Sequence, residues 1–200
     1  MKLKVCGMKS AANILEVASL LPDYMGFIFW EKSPRFFSGE IPQLPQLVKK
    51  VGVFVDASEA EILEKTRRYG LHAVQLHGNE SPEFCSQIKK QGLSVIKAFS
   101  VDETFGFGIL DSYEPYCAFF LFDTKGKSPG GNGIAFDWEL LRKYGLKTPF
   151  FISGGIGPES AKALSNLDLP IYAIDINSRF EIKPGLKDAD AIKRFKDDLK

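Results

Sequence analysis

The 200-residue chain is 44% hydrophobic and 26% charged, with a formal net charge of +1. That length buries one substantial core without requiring a second domain, and the near-neutral balance excludes a global pull on nucleic acid or an anionic membrane. Three cysteines without a CxxC pair exclude a disulfide framework and a cysteine zinc site, and point to a reducing, cytoplasmic setting.

The opening segment MKLKVCGMKSAANILEV has no unbroken apolar stretch and does not read as a leader. It begins with a strand-like run at 3–6. The second run, 24–29, lies in the most apolar stretch of the chain, which is far shorter than the roughly 20 residues of a membrane helix. Segment 41–50 holds Pro42 and Pro45, so any helix there is short or irregular. A third run follows at 50–55. Ser58 and Glu61 then make a capping-box pattern before EAEILEKTRRY, which Gly70 stops. After the run at 73–77, Ser81 and Pro82 open a helix that Gly92 closes.

The runs at 94–99 and 118–123 flank a Gly106- and Gly108-bearing stretch in which a helix is again short or irregular. Asp137 opens WELLRKY, ended by Gly145, and a run at 149–153 follows. Pro158 starts the helical PESAKALSNL. The last run is 171–177, and the tail KDADAIKRFKDDLK places Ala189, Ile192, Phe195 and Leu199 at helical spacing.

Eight nearly continuous apolar runs separated by helical stretches predict parallel strands covered on both faces. Helix, Gly-Leu, strand recurs in YGLHAVQLH, QGLSVIKAF and YGLKTPFFI, a repeated αβ connection. Eight such units favour closure over an open sheet, and no GxGxxG follows the first run. The expected fold is α/β, a (β/α)8 barrel over residues 1–200 as one catalytic domain.

The active face of such a barrel lies at the carboxyl ends of its strands. Cys6 stands at the first end, followed by Gly7. It reads either as a small buried core residue or as a base whose pKa is set by a nearby cation. Asp123 ends the sixth run after AFFLF, and reads either as a loop cap or as a carboxyl raised by its surroundings to act as an acid. In ISGGIGPES, Gly154 and Gly155 expose backbone N–H groups just before a helix start, a pattern that suits phosphate. KGKSPGGNG at 125–133 reads as a flexible linker or as a lid over that place. Arg35 is a fork for a substrate carboxylate or a solvated loop residue. His77 reads as a structural or capping residue with possible substrate contact, and His72 as a surface residue.

Together the segments KVCGM, YMGFIFWEKSPR, VGVFV, VQLHGNE, LFDTKG, PGGNGIAFDW, FISGGIGPES, DINS and EIKPGLKD resemble the phosphoribosylanthranilate isomerase family of tryptophan biosynthesis, in that family's order. The resemblance implies an Amadori rearrangement of N-(5-phosphoribosyl)anthranilate to 1-(2-carboxyphenylamino)-1-deoxyribulose 5-phosphate, a small phosphosugar substrate, with no cofactor and no metal. By the same resemblance Asp123 is the acid, Cys6 the base, and Arg35 faces the anthranilate carboxylate. Gly154, Gly155, Asn177 and Ser178 face the phosphate.

Two departures stand out. Ser178-Arg179-Phe180-Glu181 replaces the usual Ser-Gly-Val-Glu, and Asn132 stands where Thr is usual. Rival phosphosugar barrels, an epimerase or an indoleglycerol-phosphate synthase, call for a His/Asp metal cluster or a Lys/Glu pair that the strand ends do not offer. A catalytically silent barrel used for binding is the alternative from another class.

Overall fold

A computed structural model describes residues 1–124 and 137–199 of the chain. The 125–133 segment and Asn132 therefore lie outside the described residues. Eight parallel strands form a closed barrel: β1 Lys2–Val5, β2 Tyr24–Ile28, β3 Lys49–Phe54, β4 Ala73–Leu76, β5 Ser94–Val101, β6 Phe119–Thr124, β7 Phe150–Ile152 and β8 Ile171–Ile176. Closure comes from β8 pairing with β1, in the register Lys2↔Ala173 to Val5↔Ile176. A small antiparallel hairpin that the apolar runs did not announce, β9 Glu181–Lys183 and β10 Leu186–Lys187, follows the last barrel strand.

The helices are α1 Ala11–Ser19, α2 Glu59–Tyr69, α3 Pro82–Lys90, α4 Ala161–Ser165 and α5 Ala189–Asp198. Their ends follow the local chemistry. Ser58 accepts the Glu61 N–H, Ser81 accepts the Phe84 N–H, and Gly70 closes α2 in the left-handed region at φ 59°. Asp188 caps α5 through the Ala191 N–H, and α5 buries Ala191, Ile192 and Phe195.

Two expected helices are reduced, and the 41–50 segment, expected to hold at most a short or irregular one, agrees with that reading. No helix forms in 41–48; WELLRKY becomes a 3-10 turn, Trp138–Lys143; and PESAKALSNL becomes a 3-10 turn, Pro158–Ser160, followed by the five-residue α4. Segments this short gain little from helical propagation once nucleation is charged against them, so side-chain packing decides their backbone. Tyr144, just past the Trp138 turn, packs edge-on against Phe120, Phe122 and Phe150.

The period-two alternation of a strand sorts the barrel interior into layers. The lower layer is apolar: Tyr24, Val51, Ala73, Ile96, Ala98, Leu121, Phe151 and Ala173 are all buried in one cluster. Tyr24 and Tyr172 hydroxyls meet beneath it at 2.9 Å. Two residues further along the same strands stand Val53, Gln75, Asp123, Ser153 and Asp175, which line a cleft. Among the described residues no helix is long and apolar enough to cross a membrane.

Candidate active site

The cleft at the carboxyl ends of the strands encloses about 930 Å³ including its open mouth. Its wall contains all seven residues singled out from the sequence: Cys6, Arg35, Asp123, Gly154, Gly155, Asn177 and Ser178. They come from the ends of β1, β2, β6, β7 and β8, so barrel closure brings them together.

Cys6 extends β1, its N–H donating to Ile176 O at 2.9 Å. Its side chain has room because residue 26 is glycine: a Cβ there would stand 2.7 Å from the Cys6 Sγ. Burial pushes the thiol up from its ordinary range, while the charges of Lys4 and Lys187 pull it down and that of Asp175 pushes it up further. Lys4 is fully buried two residues before Cys6 and pairs with Asp175 Oδ2 at 2.8 Å. Burial also pushes the Asp175 carboxyl up, against the opposing charge of Lys4.

Asp123 faces the same cleft from β6. One carboxylate oxygen accepts the Thr124 N–H at 2.9 Å, the loop-capping contact foreseen as an alternative for it. The other lies 3.3 Å from His77 Nε2, outside hydrogen-bonding alignment. On its far side His77 Nδ1 meets Gln75 Nε2 at 2.8 Å, and the ring lines the cleft. His77 is thus more than a loop cap. Its position is held from behind by buried Lys97, whose ammonium reaches Gly78 O at 2.8 Å and Glu80 Oε2 at 3.0 Å, while Glu80 also accepts the Asp56 and Gly78 N–H groups.

The glycine pair behaves as its sequence suggests. Gly154 and Gly155 both have positive φ, 87° and 64°, and a Cβ on Gly154 would stand 2.1 Å from Thr124 Oγ1. A side chain is excluded at Gly154, and both glycines line the cleft, a setting in which backbone N–H groups can meet an anion. The helix behind them is shorter than expected, and Gly157 N–H is already taken by Ser160 Oγ at 3.0 Å. The glycine turn rather than a helix dipole therefore dominates this end. Arg179 does not line the cleft; it reaches over Gly157 to Glu159 Oε1 at 2.7 Å.

Arg35 is engaged from the side. Its Nε and Nη2 grip the carboxylate of Glu181 at 2.7–3.0 Å, and Lys187 Nζ meets the same carboxylate at 2.7 Å. Reading the strand ends alone misses Lys4, Asp175, Gln75, Glu181 and Lys187. A signal for three of them was present: Lys4, Gln75 and Asp175 are polar residues inside apolar strands, two positions before Cys6, His77 and Asn177.

Three buried polar atoms of this wall have no partner among the described residues: Gln75 Oε1, His77 Nε2 and Asp175 Oδ1. Polar atoms grouped in this way suit hydroxyl groups, which both give and accept hydrogen bonds. Among the described residues, no group of three or more His, Cys, Asp or Glu is placed to hold a metal ion.

Comparison with known proteins finds relatives along nearly the whole chain. Residues 3–198 match the family model described as N-(5'phosphoribosyl)anthranilate (PRA) isomerase. The N-(5'-phosphoribosyl)anthranilate isomerase of Parabacteroides distasonis is 47% identical, over 98% of this chain and 91% of its own length. That of Phocaeicola vulgatus is 43% identical over 100% and 98%. The crystal structure of the Thermotoga maritima enzyme superposes with a TM-score of 0.85 at 33% identity, covering 100% of this chain and 98% of that one. The match spans every strand end described above, and the chain belongs to the phosphoribosylanthranilate isomerase family.

Proposed function

We propose that Asp123 and Cys6 act as acid and base in the isomerisation of N-(5'-phosphoribosyl)anthranilate, the reaction of this family in tryptophan biosynthesis. The observation that carries the assignment is their common cleft: a thiol and a carboxylic acid on its walls, a glycine turn and an arginine lining the same space.

In this reading Asp123 gives a proton to the furanose ring oxygen as the C1–O bond breaks, and the anthranilate nitrogen lone pair forms a C=N bond. Cys6, as thiolate, takes the proton from C2, and the electrons of that C–H bond form an enolamine, neutralising the iminium nitrogen. Tautomerisation of the enolamine gives the aminoketose, so the sequence is redox-neutral within the sugar and needs neither metal nor coenzyme. His77 stands beside Asp123 at the cleft wall. Gln75 and Asp175 present their unpartnered oxygens to the sugar hydroxyls, the Gly154–Gly155 turn with Asn177 and Ser178 receives the phosphate, and Arg35 receives the anthranilate carboxylate. A solved relative, 31% identical with a TM-score of 0.81, is described in complex with reduced 1-(o-carboxyphenylamino)-1-deoxyribulose 5-phosphate, a ligand with the same three ends. The substrate is a free small molecule rather than a nucleic acid or a membrane, and three free, buried cysteines suit the cytoplasm.

The test is the loss of substrate fluorescence when purified protein meets freshly made phosphoribosylanthranilate. Cys6→Ala and Asp123→Asn are each expected to lower kcat by about 10²- to 10⁴-fold. Full activity of either variant removes that residue from its role, and an inert wild type favours the silent barrel.

A further inference from the structure

We infer that the hairpin after the eighth strand is a brace for Arg35: Glu181 and Lys187 are positioning residues that clamp one edge of the guanidinium and leave the other edge aimed at the substrate carboxylate. The inference rests on the proposed role of Arg35 and adds what makes that role possible.

A guanidinium offers five N–H donors in a planar fork, with one pair along the side and another at the end. Glu181 occupies the side pair, Nε and Nη2, and the end pair formed by the two Nη groups stays unused by Glu181. A carboxylate in the cleft can therefore be met by a second, end-on pair of parallel hydrogen bonds. An arginine without Glu181 would swing on a long, flexible stem.

Glu181 is itself built in. Its side chain is 3% exposed, and it also accepts the Gly185 N–H at 3.1 Å. Burial alone would raise its carboxyl, but the Arg35 hydrogen bonds and the Lys187 charge outweigh that and hold it below the ordinary range. The hairpin register sets Lys187 directly opposite Glu181. Pro184-Gly185, with Gly185 at φ 81°, makes the tight connection between them.

The lysine spends all three ammonium protons, on Glu181 Oε1 and on Asn177 O and Oδ1, at 2.7–3.1 Å. Buried Asn13 of α1 then fastens the backbone of Lys187 on both sides, accepting its N–H at 2.7 Å and donating to its carbonyl at 2.9 Å. Gly7 permits the closeness of the parts, since a Cβ there would stand 2.7 Å from both Arg35 Cδ and Asn177 Oδ1. One Glu between one Arg and one Lys leaves a net positive charge at this wall.

The experiment compares the affinities of two ligands, reduced 1-(o-carboxyphenylamino)-1-deoxyribulose 5-phosphate and the same compound without its carboxylate, for the wild type and each variant. In the wild type the carboxylate is expected to improve binding by about 10- to 100-fold. Arg35→Ala is expected to abolish that ratio. Arg35→Lys is expected to abolish it as well, because an ammonium keeps the charge but lacks the fork. Glu181→Gln, at unchanged circular dichroism, is expected to shrink the ratio to about threefold and to raise KM more than it lowers kcat. If Glu181→Gln does not fold, Glu181→Asp, retracted by one methylene, is read in the same way. A full ratio in the Glu181 variant beside a lost ratio in Arg35→Ala overturns the brace alone. A full ratio in Arg35→Ala overturns the role of Arg35 itself, and the brace with it.

Discussion

The lower and upper layers of the barrel are made by the same strands, two residues apart, and they obey opposite rules. Below, Phe151 is fully buried, meeting Tyr24 and Phe119 edge-on at 5.4 Å, and every member of the cluster is hydrocarbon or aromatic. Above, Lys4, Gln75, Asp123 and Asp175 are just as buried, at 0–5% exposure, yet they carry charges and unpartnered polar atoms. The lower layer gains from removing apolar surface and filling space, about 1.5–3 kcal/mol for each large side chain. The upper layer gives up part of that gain to hold groups that a substrate will complete. Stability and chemistry are therefore separable along a single strand, at a spacing of two.

The sharpest way to break this contrast is Phe151→Ala. It is expected to cost about 3–5 kcal/mol of unfolding free energy in denaturant titration, while the molecules that remain folded keep their kcat. A comparable loss of kcat at small cost in stability would mean that the layers are coupled.

Lys4→Met tests the upper layer from inside. Breaking one side of a buried ion pair costs about 3–5 kcal/mol, here by stranding Asp175, and this variant also has a kinetic signature. A base works deprotonated, and burial raises the Cys6 thiol, so the Cys6-dependent limb of kcat/KM is expected to climb with pH on past the ordinary thiol range, with the need for protonated Asp123 setting the opposing limb. Removing the Lys4 cation takes away a charge that favours the thiolate, so the climb shifts to higher pH. A shift to lower pH, or none, would show that Lys4 does not act on the base.

The smallest effect is expected at the rim. Arg179 and Glu159 form an exposed pair, 43% and 61% accessible, and Arg179→Gly is expected to change stability by less than about 1 kcal/mol. Because Arg179 crosses Gly157 without entering the cleft, KM measured at two salt concentrations is expected to stay within about twofold of wild type. A large, salt-dependent rise in KM would place the arginine on the phosphate itself.

Much of this was legible beforehand. Parallel strands buried on both faces need continuous apolar runs, and all eight appeared within a few residues of their observed ends. Caps and stops such as Ser58, Ser81, Gly70 and Gly92 act through their own neighbours and were readable for that reason. The two reduced helices were less so, because packing such as that of Tyr144 outweighs weak propensity in short segments.

The amino-acid order by itself determined the strand–helix alternation, the positions of Cys6, Asp123 and the Gly154–Gly155 turn at strand ends, and the family they announce. Only the tertiary structure decided their partners: Lys4 with Asp175 across 171 positions, Arg35 with Glu181 across 146, and His77 beside Asp123. Periodicity and capping are local and can be read along the chain. An ion pair between distant residues depends on barrel closure and on the inward parity of each strand, which appear only once the last strand has met the first.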